Sequence, residues 1–130
     1  MKERINKDWG KFIGSMDWNL YLTFHHYGKC NEKGNRGLMT SVFNKNKNLI
    51  ETMFFVSERG MDFKNIHSHI LIKSSSSECL IKRIRNLNYK CNIDVKQIDK
   101  GITTDEGILK VGYYVSKFVN MGVDFDLFIN

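Results

Sequence analysis

"KNIHSHILIK", residues 64–73, is the stretch on which the reading of this chain turns. Along an extended strand successive side chains point to opposite faces, so residues i and i+2 share one. Ile66, Ser68, Ile70 and Ile72 then line one side, and His67, His69, Leu71 and Lys73 the other. The chain has only four histidines, and this strand sets two of them together on one face. Two neighbouring imidazoles are half of a metal site. They are also what two polar residues on a half-solvated sheet look like, and the flanking sequence has to separate the two readings.

Upstream, "ETMFFVSERG" (51–60) reads as a strand ending in a glycine turn. A turn around Gly60–Lys64 is short enough to pair it antiparallel with the histidine strand. "WNLYLTF" (18–24) is a further strand, rich in bulky and β-branched residues. "CNEKGNRG" (30–37) reads as a polar, glycine-bearing loop, and 38–49 as an ambiguous segment compatible with a short helix. Downstream, Ser75 with Glu78 forms a capping-box pattern opening a helix whose apolar face is Leu80, Ile81, Ile84 and Leu87. "CNIDVKQI" (91–98) alternates as a short strand. Thr103 with Glu106 makes a second capping box, opening a helix through about Asn120 with a stop at Gly122. The order β, (α), β, β, α, β, α predicts an α+β fold: a ferredoxin-like, RRM-like antiparallel sheet with helices packed on one face.

With 130 residues, the chain is long enough for one domain, 1–130, and its apolar (42%) and charged (26%) shares are those of an ordinary globular protein. The charged N-terminal stretch offers no signal-peptide core and no segment approaches a membrane span, which predicts an intracellular, cytoplasmic protein without membrane contact. Cys30, Cys79 and Cys91 form no CxxC pair and read as reduced thiols. The formal net charge is +6, with basic residues gathered in 29–48 (Arg36 among them) and in 82–100 (Lys82, Arg83 and Arg85 among them). Such an excess suits a phosphate-bearing partner, because each neutralised phosphate releases counterions.

A carboxylate near the histidines favours the metal reading. Glu58 ends the strand before "IHSH", nine residues ahead of His67, and the hairpin carries it toward the imidazole face. Two imidazole nitrogens and a carboxylate oxygen bind a divalent cation and leave positions open for substrate oxygens. On the last helix, a rotation of about 100° per residue gathers Ile108, Val111, Val115, Phe118 and Val119 into one buried arc. Tyr114 falls at the edge of that arc, Tyr113 points nearly away, and Lys110 and Lys117 flank Tyr114. This is either a phenol placed for phosphate chemistry or an aromatic at a core boundary.

"YLTF" (21–24), "IHSHIL" (66–71) preceded by Glu58, and "YVSK" (114–117), in that order, resemble the three motifs of the HUH endonucleases. The likeness is closest to the rolling-circle replication initiator (Rep) proteins of plasmids, phages and small single-stranded DNA viruses, and spans roughly residues 17–120. It implies that Glu58, His67 and His69 hold Mn²⁺ or Mg²⁺ and that Tyr114 attacks a phosphate of single-stranded DNA at a replication origin. The attack leaves a 5′-phosphotyrosine, later resolved by strand joining, with Lys117 positioning or neutralising the phosphate. A free phenol ionises near pH 10, so such a nucleophile needs positive charge beside it.

Two departures stand out. Ser68 occupies a position where these proteins usually carry a bulky apolar residue, and no P-loop is present. Without a helicase module, strand separation and synthesis would fall to a host helicase and polymerase. Arg36, Lys82, Arg83, Arg85 and Lys110 are candidate DNA contacts, with a solvated charged face as the alternative. Tyr113 is the reserve nucleophile. His25 and His26 follow the first strand as DNA contacts or as ordinary loop histidines, and Trp9 and Trp18 either stack on bases or pack in the core. The closing "GVDFDLFIN" reads as an edge strand or a homodimer contact. A single-strand transposase or relaxase of the same chemistry competes with the replication initiator, although transposases more often carry glutamine where "YVSK" has lysine. A non-catalytic RRM-like nucleic-acid binder competes from another class, but it lacks its glycine-and-aromatic signature here.

Overall fold

The computed structural model describes residues 2–27, 30–59, 66–86, 91–119 and 123–130. Its elements are, in chain order, α1 (Lys2–Gly14), β1 (Leu20–His26), α2 (Glu32–Lys45), β2 (Ile50–Arg59), β3 (Ile66–Ser74), α3 (Ser77–Asn86), β4 (Cys91–Gln97), α4 (Lys110–Ser116) and β5 (Phe125–Ile129). The strands form one sheet in the order β4-β1-β3-β2-β5, and all four pairings are antiparallel. The expected α+β class holds. The histidine strand lies at its centre.

The alternation read in 66–73 is what the sheet uses. Ile70 and Ile72 join Leu20, Leu22, Phe24, Met53 and Phe55 in a core beneath α2 and α3, which contribute Met39, Val42, Phe43, Leu80 and Ile84. Leu71 turns the other way and joins Phe54, Val56 and Trp18 beneath α1 and α4, whose Ile13, Val115, Phe118 and Val119 close a second core. Helices therefore cover both faces, not one as the sequence predicted. The reason lies in β2: Met53, Phe54, Phe55 and Val56 are all buried, so the strand needs an apolar cover on each side. The second cover is α1, a helix absent from the predicted order.

Three other elements differ from expectation. The "CNEKGNRG" segment is the start of α2, because Asn31 caps it, its Oδ1 accepting from Gly34 N at 2.7 Å. The helix predicted from Thr103 starts only at Lys110. Before it Thr104 N donates to Ile108 O at 2.8 Å and Gly107 N to Thr104 O at 2.9 Å, a turn that Gly107 permits by adopting φ +81°. His25 and His26 belong to β1 rather than to a following loop. The tail supplies the edge strand β5, pairing with β2. The turn expected at Gly60–Lys64, the helix position Leu87 and the stop at Gly122 lie outside the described residues. No helix among the described residues is long and apolar enough to cross a membrane.

Candidate active site

Cross-strand register places the candidate ligands. Glu58 faces His67, which faces His25. One row further in, Val56 faces His69, and His69 faces Thr23; in the third row Phe54, Leu71 and Tyr21 align. Directly paired residues share a face, so Glu58, His67, His69, His25 and Tyr21 all stand on the second face, at its uncovered end. Here a cleft of about 620 Å³ opens between the sheet and α4, lined by Tyr21, Glu58, His67, His69, Lys110 and Tyr114 among others.

His69 is the fixed point of this cleft. The residue is 5% exposed, and its ring stacks on Phe118 at 4.9 Å with the planes 3° apart. Its Nε2 lies 2.6 Å from Glu58 Oε2 and its Nδ1 2.6 Å from the Tyr21 hydroxyl. Burial pulls its pKa below the ordinary histidine value, against the opposing pull of Glu58, with His67 and Lys117 adding to the fall. A neutral imidazole is the form that ligates a cation. Burial, with Tyr114 and Glu58 adding to it, pushes the Tyr21 phenol well above the usual tyrosine range.

As they stand, no three His, Cys, Asp or Glu side chains among the described residues converge on one point. His67 lies against His25, ring centroids 4.5 Å apart, and His25 Nε2 is 3.4 Å from Asp94 Oδ2. The donor set nonetheless fits a small divalent cation: one carboxylate already directed at one neutral imidazole, with a second imidazole directly opposite that carboxylate on the neighbouring strand.

Helix α4 settles which tyrosine faces the cleft. α1 and α4 cross so closely that a Cβ at Gly112 would stand 2.4 Å from Gly14 N and 2.8 Å from Gly10 O. That crossing presses Tyr113 against α1, its ring within 2.3 Å of where a Gly10 Cβ would be. Tyr114, the next residue, projects into the cleft, 48% exposed, its ring 6.1 Å from that of His69 and 6.3 Å from that of Tyr21. The Lys117 ammonium sits 4.1 Å from the Tyr114 ring centre and 4.8 Å from that of Phe118.

Not all predicted contacts come to this end. Arg36, on α2, donates twice to Asp124 and once to Asp126, each at 2.7 Å, clamping α2 to β5 on the opposite side of the sheet. The two aspartates raise its pKa further and occupy the charge that a phosphate would need. Lys82, Arg83 and Arg85 ride on α3, which covers the first core, and Arg83 is tied to Asn48 Oδ1 and Lys45 O. Of the predicted DNA contacts only Lys110 lines the cleft. Trp18 is fully buried, its Nε1 donating to Ile13 O at 2.7 Å, and Trp9 packs edge-on against Phe12 and Phe125.

Two groups escaped the sequence reading. Tyr21 was visible only as part of "YLTF". Asn35 lies behind the candidate ligands: its Oδ1 accepts from Ser68 Oγ and from His26 Nε2 (2.9 Å), and its Nδ2 donates to Ser57 Oγ at 3.1 Å. Ser68 is thus answered by a polar partner, where a bulky apolar residue would have packed. Ser57 and Ser68 face each other directly between the Glu58–His67 and Val56–His69 rows.

No family model matches the chain, and no curated protein matches it. Among solved structures it is similar to the crystal structure of the hypothetical protein ORF119 from Sulfolobus islandicus rod-shaped virus 1. The TM-score is 0.52 at 19% identity, over 88% of this chain and 93% of that one, a likeness of fold.

Proposed function

We propose that the chain is a metal-dependent single-stranded DNA nicking and joining enzyme that starts rolling-circle-type replication, acting in the cytoplasm of a host cell. The observation that carries this reading is that a half-exposed phenol, a carboxylate and two imidazoles from α4, β2 and β3 line one cleft at the open end of the sheet. Glu58, His67 and His69 would hold Mn²⁺ or Mg²⁺, which supplies polarisation of the scissile phosphate when bound. Tyr114 Oη attacks phosphorus; the O–P bond to tyrosine forms, the P–O3′ bond breaks, and the 3′ oxygen leaves as a hydroxyl carrying the phenol's proton. Lys117, over the Tyr114 ring, sets a positive charge where phenolate and phosphate charge gather. Attack by a 3′-hydroxyl reverses the step and rejoins strands without an external energy source. Transposases and relaxases that use the same chemistry would produce the same covalent link; the "YVSK" lysine favours the replication initiator.

The test is a denaturing gel of purified protein incubated with Mn²⁺ and a labelled pool of random single-stranded DNA. A slow covalent band is expected, lost in Tyr114→Phe and His69→Ala and kept in Tyr113→Phe. A band that survives Tyr114→Phe overturns the assignment of the nucleophile. Binding of the DNA with no covalent band from the native protein would instead establish a non-catalytic, RRM-like binder.

A further inference from the structure

His69 has both ring nitrogens engaged, and the two partners differ in kind. Glu58 Oε2, 2.6 Å from Nε2, is an acceptor when ionised; the Tyr21 hydroxyl, 2.6 Å from Nδ1, both donates and accepts. A neutral imidazole has one N–H. Facing a bare carboxylate at that distance, the proton sits on Nε2, which leaves Nδ1 as a lone pair that the Tyr21 O–H must satisfy. A cation shared by Glu58 and His69 needs the Nε2 lone pair, so the proton must then sit on Nδ1. The same Tyr21 oxygen accepts it once its hydrogen swings away.

We propose that Tyr21 is a positioning residue of the site, a two-way hydrogen-bond partner that holds the His69 ring in register through both the empty and the cation-bound states. The inference rests on the reading that Glu58, His67 and His69 take up a divalent cation. It explains why the partner is a hydroxyl. A carboxylate or a backbone carbonyl at Nδ1 would serve only the loaded tautomer, whereas tyrosine serves both without a net proton gained or lost. Phe118 fixes the plane of the imidazole from one side, leaving rotation within that plane to Tyr21 and Glu58. The phenol is well placed for this role: it is half-buried on β1 and its own ring lies edge-on to His69, centroids 6.0 Å apart.

The experiment uses the full chain with ¹⁵N-labelled histidine, native and Tyr21→Phe, which keeps the ring and removes the hydroxyl. The native protein should show His69 as the Nε2–H tautomer when free and as the Nδ1–H tautomer on adding Mg²⁺, read from the ring-nitrogen shifts. Tyr21→Phe should abolish the single-tautomer pattern in the free protein and weaken Mn²⁺ binding, by calorimetry, about 10-fold or more. A folded Tyr21→Phe protein with native tautomers and native Mn²⁺ affinity overturns the role of Tyr21 and leaves the cation reading intact. A covalent DNA adduct mapped to Tyr21 also overturns it, by making the phenol a nucleophile. A native protein that binds no Mn²⁺, yet whose free-state tautomer still depends on Tyr21, overturns the cation reading and with it the two-state role.

Discussion

Asn35 is fully buried and holds three hydrogen-bonding partners at once: Ser68 and His26 through its oxygen, Ser57 through its nitrogen. Asn35→Ala removes all three and leaves two buried serine hydroxyls unpaired on the strands that carry the candidate ligands. An unsatisfied buried polar group costs about 1–3 kcal/mol, so the urea midpoint of Asn35→Ala should fall by the equivalent of that amount or more. A midpoint within error of the native one would show that water or rearranged side chains replace the network. The serine between the histidines was legible as a departure from pattern. Its compensation was not, because Asn35 comes from a stretch that reads as a glycine-bearing loop, and only the fold sets it behind β3. His69 carries a pH prediction at the same scale. Its pKa is depressed on folding, so the unfolded chain takes up a proton near pH 6.5 that the folded chain refuses until lower pH. The stabilisation is therefore full above about pH 6.5 and is lost as pH falls through the folded-state value. His69→Gln should lose less stability than the native protein between neutral and mildly acidic pH, by chemical denaturation at each.

The crossing of α1 with α4 shows how an element can be essential and unreadable. α1 has the sequence KERINKDWGKFIG, and its described inward apolar positions are few: Ile13 is fully buried and Trp9 partly so. Two glycines lower its helix propensity further, so neither periodicity nor composition marks it. Those glycines are there for contact, since Gly10 and Gly14 let α4 approach through Gly112. Gly112→Ala would drive a methyl into the backbone of Gly14, which has no side chain to move aside. The expected result is a loss of about 1–3 kcal/mol and a displaced Tyr114, hence weaker covalent-band formation even where the protein stays folded. Gly37 is the matched control, an exposed helical glycine on α2 where, beyond its own helix backbone and chain neighbours, a Cβ would meet nothing within 4 Å. Gly37→Ala should leave the band unchanged and raise stability by roughly 0.5–1 kcal/mol. For α4 the helical wheel separates the buried Val115 from Tyr114, which lines the cleft, although the helix begins seven residues after the predicted cap. That separation survived the error because phase, not length, decides which side chains share a face.

Across the whole molecule the question is where the net charge of +6 does its work. Sequence clustering marked 29–48 and 82–100 as basic, but a run of like charges does not say which side of a sheet it will occupy. Folding separates them: Arg36 is neutralised by Asp124 and Asp126, and α3 carries Lys82, Arg83 and Arg85 to the face opposite the cleft. Among the described residues, the lysines at the cleft are Lys96 and Lys110 on its walls, with Lys117 over Tyr114. If single-stranded DNA lies along this cleft, as the proposed function requires, its phosphates meet these lysines and not α3. Each phosphate contact on a single strand contributes about 0.7 to the slope of log affinity against log salt. Fluorescence anisotropy of a labelled oligonucleotide, titrated over a range of salt with Tyr114→Phe protein to prevent cleavage, measures that slope directly. Lys96→Ala and Lys110→Ala should each weaken binding and flatten the slope by roughly that contribution, uniformly across sequences. The triple replacement of Lys82, Arg83 and Arg85 by alanine should leave both affinity and slope unchanged. The reverse outcome, a flattened slope from α3 and none from the cleft, would put the DNA on the far side of the sheet from the phenol, and the proposed chemistry could not reach it.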